Sequence, residues 1–147
     1  MDLVTQQVEQ QFTVLLRRVQ KIHLSTAHGE MALERSAYGI LCTLADDGPQ
    51  RLGALADNFG LDPSTITRQV QALEEAGLAQ RKSDPTDRRA SILDLTSEGR
   101  HILDDTRAHR RERFAALMAD WSEQDRLELA RLLGKFNGAL REITGHA

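Results

Sequence analysis

The stretch Gly60-Leu61-Asp62-Pro63 restricts this chain more than any other feature. Glycine tolerates the left-handed conformation at which helices commonly stop. Proline at a first helical position loses no hydrogen bond the helix needed, and aspartate just before it is a good N-cap. One helix must therefore end near Gly60 and another begin at Asp62-Pro63. Upstream, Leu52, Leu55, Ala56 and Phe59 are apolar at helical spacing to about Asn58, and downstream Ile66, Val70 and Leu73 form a second stripe that Gly77 closes. Two helices joined by a tight glycine-containing turn make a helix-turn-helix. The small Ala56 lets the pair approach closely.

The flanks are also mainly helical. Val8, Phe12, Leu15, Val19 and Ile22 recur at intervals of four and three, a one-faced helical pattern that ends near Thr26–Gly29. A second helix is expected over 33–45, carrying Tyr38, Leu41, Leu44 and Ala45, and stopped by Asp46-Asp47-Gly48-Pro49. Residues 78–95 change character. Two short segments with Leu78, Ile92, Leu93 and Leu95 flank the turn-rich DPTDRR, which reads as a β-hairpin. Thr96 or Ser97 can cap a helix running on to Trp121, and Ser122 restarts a last one with Leu129, Leu133, Phe136, Leu140 and Ile143 at intervals of four and three.

The 147 residues, 28% charged and 40% apolar, suit one globular domain. No apolar run approaches the roughly 20 residues that span a bilayer, and MDLVTQQVEQQF resembles neither a signal nor a transit sequence. The single cysteine, Cys42, cannot make an internal disulfide, so a cytoplasmic location is expected. The net charge of −3 argues mildly against a nucleic-acid partner.

The helix after Pro63 argues the other way. At 100° per residue, with Ile66, Val70 and Leu73 inward, Ser64, Arg68, Gln71 and Glu75 point out and Thr65 and Thr67 flank them. Hydroxyls, arginine and glutamine reach base edges and phosphates in a major groove. They sit at the amino end, where free N–H groups also favour phosphate. Glu75 does not, but stands about two turns away. The plain alternative is a solvated helix face. The hairpin weighs against that alternative, because Arg81, Lys82, Arg88 and Arg89 outnumber Asp84 and Asp87 there. Arginines on a projecting loop are drawn to a narrow minor groove.

The run LGALADNFGLDPSTITRQVQALEEAGLAQRKSDPTDRRASILDLTSEG, above all D-P-T-D-R-R followed by L-T-S-E-G, resembles the MarR family of transcription regulators. That resemblance covers nearly the whole chain in element order. It implies a mainly α protein with a small β-hairpin wing, that is, an α+β winged helix-turn-helix whose terminal helices form a dimerisation region. Within one domain over 1–147, residues 1–32 and 104–147 would dimerise and 33–103 would form the DNA-binding lobe. Ser64, Thr65, Thr67, Arg68 and Gln71 would lie on the recognition helix, Asp87 would support the wing tip, Arg89 would enter the minor groove, and Arg88 would face phosphate. Val8, Phe12, Leu15 and Val19 would meet the partner's Leu129, Leu133, Phe136 and Leu140, although periodicity alone fits packing within one chain equally well. The expected partners are double-stranded DNA carrying an inverted repeat, a second copy of the chain and a small aromatic or phenolic effector acting on a repressor. The effector pocket is unknown; Arg17, His23 and Tyr38 are polar candidates whose spacing does not distinguish them from ordinary surface residues.

Rival classes have less support. Nothing groups as a nucleophile with its base, a phosphate-binding glycine loop or a cofactor motif, so no enzyme is expected. Histidines stand at 23, 28, 101, 109 and 146; His101 and His109 lie about 80° apart around a helix, and no metal site is expected. Cys42 raises thiol-based redox sensing, but its neighbours Leu41 and Thr43 carry no charge, which favours an inert thiol. A non-specific architectural DNA-binding dimer is the last alternative.

Overall fold

The structure, a computed structural model, describes the backbone of residues 2–19, 24–25, 32–33 and 35–144. Ile22, His23, His28, His146 and the turn expected near Thr26–Gly29 lie outside the described residues. In chain order the elements are α1 (Leu3–Val19), β1 (Leu24–Ser25), β2 (Ala32–Leu33), α2 (Arg35–Asp47), β3 (Gln50–Arg51), α3 (Leu52–Phe59), α4 (Pro63–Glu75), β4 (Ala79–Ser83), β5 (Ser91–Leu95), α5 (Ser97–Leu117) and α6 (Glu123–Thr144). The protein is mainly helical, as expected, with two small antiparallel sheets: one holds the hairpin, and the other pairs β1 with β2, which places Leu33 in a strand and not in the helix expected over 33–45.

The core gathers one stripe from each element of the central lobe. Ile40, Leu41 and Leu44 of α2 meet Leu55 of α3, Ile66, Val70 and Leu73 of α4, Leu78, Leu93 and Leu103, all essentially inaccessible to water. Each such side chain stabilises the fold by about 1.5–3 kcal/mol through burial. The three α4 residues are those that the 100° projection turned inward. Gly60 stops α3 in the left-handed region (φ 58°, ψ 34°). Asp62 has the extended backbone of an N-cap, but its carboxylate does not cap. It instead accepts a long 3.5 Å hydrogen bond from the Thr65 hydroxyl. Thr96 does cap α5, accepting from Gly99 N–H at 2.9 Å and donating to the Gly77 carbonyl at 2.6 Å.

The hairpin forms with Ala79 opposite Leu95 and Ser83 opposite Ser91. Its weak alternation has a simple cause: β4 buries only Ala79, and the rest of the strand projects beyond the core. A third strand, β3, pairs antiparallel with β5 through Gln50–Leu93 and Arg51–Ile92, giving the order β3-β5-β4. Two residues carry no periodicity, so nothing in the sequence marked it. α2 runs two residues past the expected end, through Asp46 and Asp47, and stops at Gly48 (φ 83°). α5 ends at Leu117 rather than Trp121, because tight i to i+3 bonds replace the helical ladder: Ala119 N–H to Ala116 at 3.3 Å and Trp121 N–H to Met118 at 3.0 Å. Ser122 then caps α6 through Asp125 N–H.

Helices α1 and α6 have no buried residue. Their rings touch within the chain, Phe12 against Phe136 at 5.4 Å between centroids. Even so, Val8, Leu15, Leu16, Leu132, Leu133 and Leu140 remain exposed.

Candidate nucleic-acid interface

Helix α4 presents its amino half outward because its apolar stripe fixes its rotation. Ser64, Thr67, Arg68 and Gln71 are exposed and Thr65 is half-buried. Among the described residues, the side chains of Ser64, Arg68 and Gln71 have no hydrogen-bonding or ionic partner in the chain, so their donors are open to a ligand. Thr67 differs: its hydroxyl donates to the Pro63 carbonyl at 2.8 Å, leaving only lone pairs to offer.

On the wing, the four cations counted from sequence divide into two kinds. Arg81 pairs with Glu74 of α4 at 2.7 Å and Lys82 with Asp94 of β5 at 3.3 Å. Arg88 and Arg89 are exposed and, among the described residues, have no ion pair. The turn below them is closed by Ala90 N–H to the Asp87 carbonyl at 3.0 Å, and Asp87 Oδ1 accepts from Arg89 N–H at 3.0 Å.

The contact among Arg51, Asp84 and Thr86 is absent from the sequence expectations. Asp84, only 6% exposed, accepts from Thr86 N–H at 2.9 Å, from its hydroxyl at 2.8 Å and from Arg51 Nε at 2.7 Å. The Thr86 N–H, then its hydroxyl, then Arg51 hold the Asp84 carboxyl below the usual carboxylate range, against the effect of burial. The D-P-T turn was the only local signal; the partner lies 33 residues upstream.

A second feature lies between the lobe and the terminal helices. A cavity of about 490 Å³ is lined by Tyr38 of α2, Arg107, Arg110, Arg111 and Phe114 of α5 and Arg126 of α6. The Arg110 guanidinium lies 4.8 Å from the Tyr38 ring centre and 5.7 Å from that of Phe114. Arg107 grips both Asp46 oxygens at 3.0 and 3.1 Å. Burial opposes the Arg107 charge, but hydrogen bonding to Asp46 and Cys42 outweighs it and raises the pKa above the ordinary value. Burial, then Cys42, pushes the Tyr38 phenol upward against Arg110 and Arg107. Cys42 thus has a cationic neighbour, supplied by the fold and not by its sequence neighbours. Of the polar candidates named from sequence, Tyr38 lines this cavity, Arg17 does not, and His23 lies outside the described residues. Within the charged run from Asp104 to Arg113 nothing local sets these arginines apart.

A helix-turn-helix with an outward polar face, followed by a three-stranded sheet with a free arginine tip, defines a winged helix-turn-helix DNA-binding protein. The MarR family model matches residues 33–91. The chain is 36% identical over 133 residues to the HTH-type transcriptional regulator YxaD of Bacillus subtilis, covering 90% of this chain and 92% of that one. It is 31% identical over 107 residues to the HTH-type transcriptional repressor NicR of Pseudomonas putida, covering 71% and 68%. Among solved structures, RV1404 from Mycobacterium tuberculosis superposes with a TM-score of 0.74 at 27% identity, over 100% of this chain and 97% of that one. The chain belongs to the MarR family: it is a DNA-binding transcription regulator and not an enzyme. Among the described residues no helix is long and apolar enough to cross a membrane.

Proposed function

We propose that the chain is a cytoplasmic, ligand-responsive repressor that binds an inverted-repeat operator as a homodimer. Two α4 helices would enter successive major grooves about 34 Å apart, with Ser64, Thr65, Thr67, Arg68 and Gln71 facing bases and phosphates. Arg89 would enter the flanking minor groove, Arg88 would face phosphate, and Asp87 would shape the tip. The observation that carries this reading is the set of open donors on Ser64, Arg68 and Gln71 beside the unpaired Arg88 and Arg89. Residues 33–103 form the DNA-binding lobe in this reading, and 1–32 with 104–147 form the dimerisation region. The exposed apolar residues of α1 and α6 support that division, and NicR is a repressor by name.

The test is selection of bound genomic fragments, followed by Arg68→Ala. A bidentate base contact predicts a loss of about 1–3 kcal/mol on the selected site only. Equal loss on random DNA would make Arg68 a phosphate contact, and fragments lacking a shared inverted repeat would favour a non-specific architectural dimer.

The cavity supports a small aromatic or phenolic acid as effector, because guanidinium groups beside Tyr38 and Phe114 suit a carboxylate carried on an apolar ring. Titration with hydroxybenzoates should show binding that Arg110→Ala weakens and should release operator DNA. A second reading is oxidant sensing through Cys42, which the fold sets beside Arg107. Release of DNA by peroxide in the native chain but not in Cys42→Ser would select it.

A further inference from the structure

The wing arginines need a fixed direction as well as a free charge. Arg88 and Arg89 sit on a turn whose ordering at the moment of binding would cost conformational entropy. We propose that Arg51, Asp84 and Thr86 form a clamp that aims Arg88 and Arg89 at the DNA before binding, making Arg51 and Asp84 positioning residues of the interface. The inference rests on the reading of the wing as a DNA contact.

Asp84 is the only buried charged side chain among the described residues, and a buried carboxylate needs its partners close. All of them lie at the wing base or on β3. One oxygen takes both Thr86 donors, and the other takes Arg51 Nε and Nη2, each at 2.7 Å. The main chain of Asp84 closes the loop from both sides, its N–H donating to Ala90 at 3.1 Å and its carbonyl accepting from Asp87 N–H at 3.3 Å. Arg51 immediately precedes α3 and is hydrogen-bonded into the sheet opposite Ile92. The clamp therefore ties the loop carrying Arg88 and Arg89 to the first helix of the helix-turn-helix. A second strut, Glu74 to Arg81, fixes the other edge of the wing to α4.

The competing role for Arg51, whose side chain is half exposed, is a phosphate contact of its own. The experiment separates the two. Operator affinity is measured against salt for the full chain, Arg51→Gln, Thr86→Val, Asp84→Asn and the double variant Arg88→Ala/Arg89→Ala. Arg51→Gln is then repeated in the double-variant background, with thermal unfolding recorded throughout. Two mis-aimed cations on each of two protomers should flatten the salt slope by up to about 3.6, which between about 50 and about 200 mM salt is roughly a hundredfold share of the affinity. Arg51→Gln and Thr86→Val should each cause part of this loss in the native background. In the double variant, Arg51→Gln should cost nothing further.

Losses that simply multiply would overturn the clamp, and so would tighter binding by Asp84→Asn, since that result means Arg51 is freed for phosphate. If the double variant itself binds DNA as well as the native chain, the wing reading falls and the clamp with it. If the double variant binds weakly while Arg51→Gln acts independently, the clamp alone falls. Thr86 is exposed, so Thr86→Val keeps the test open should Arg51→Gln fold poorly.

Discussion

Gly99 lies in the first turn of α5, where the helix passes over the base of β4. A Cβ placed there would stand 1.9 Å from the Leu78 carbonyl oxygen and 2.8 Å from its carbon. Ordinary contact begins near 3.4 Å, so Gly99→Ala must separate the two backbones by about 1.5 Å. Neither side yields easily. Leu78 is buried, donates to the Leu73 carbonyl at 2.9 Å and accepts from Thr96 N–H at 3.2 Å, while Thr96 binds Gly77 and Gly99. Overpacking costs about 1–3 kcal/mol. Losing the Thr96 bonds to Leu78 and Gly77 adds about 0.5–1.5 kcal/mol each. The better helix propensity of alanine returns at most about 1 kcal/mol. The expected net destabilisation is about 3 kcal/mol, within a range of about 1–5 kcal/mol. Urea unfolding at fixed protomer concentration measures it. Gly53→Ala in α3 is the control: nothing lies within 4 Å of its Cβ and its φ is not positive, so it should gain about 0.5–1 kcal/mol. A Gly99→Ala chain within about 0.5 kcal/mol of the native one would refute the packing argument.

Three further outcomes follow. Leu93→Ala, at a fully buried position on the central strand, should cost about 2–5 kcal/mol in the same assay; less than about 1 would mean the sheet is not part of the core. Phe136→Asp should convert a particle of about twice 16.4 kDa in light scattering to a single chain of 16.4 kDa, and an unchanged mass would place the dimer contact elsewhere. Because the Asp84 carboxyl is depressed in the native state, its contribution is complete above the ordinary value of 3.8 and is lost as pH falls through the lower native value. The Thr86 amide resonance should therefore titrate with a midpoint below 3.8, and a midpoint at or above it would contradict the clamp geometry.

Local chemistry made the helix-turn-helix readable. Gly60 and Pro63 punctuate the chain with strong backbone preferences, and a 3.6-residue period is enough to orient Ile66, Val70 and Leu73 and so to expose Arg68 and Gln71. Other features depended on contacts between distant residues, which local patterns do not encode. Arg51 meets Asp84 across 33 residues and Arg107 meets Asp46 across 61. In sequence, Arg81 and Lys82 look as free as Arg88 and Arg89; only the register of β4 and its approach to α4 bring two of the four to carboxylates. Asp62 shows that a suitable residue with suitable backbone can still leave the cap unmade.

The close seat of Gly99 on Leu78 also has a mechanical side. α5 spans 21 residues, about 31 Å at 1.5 Å per residue, and its near end is pinned to the foot of the wing. Its far half carries Arg107, Arg110 and Phe114 at the cavity. A rod held this way turns a small rotation into a large sweep: a tilt of about 5° about the pinned end moves the other end by about 2.7 Å. Seen from the far end, the same tilt swings the wing foot through a similar arc. If the proposed effector binds at the cavity, a side-chain rearrangement around it would be geared up to a distance that groove spacing registers.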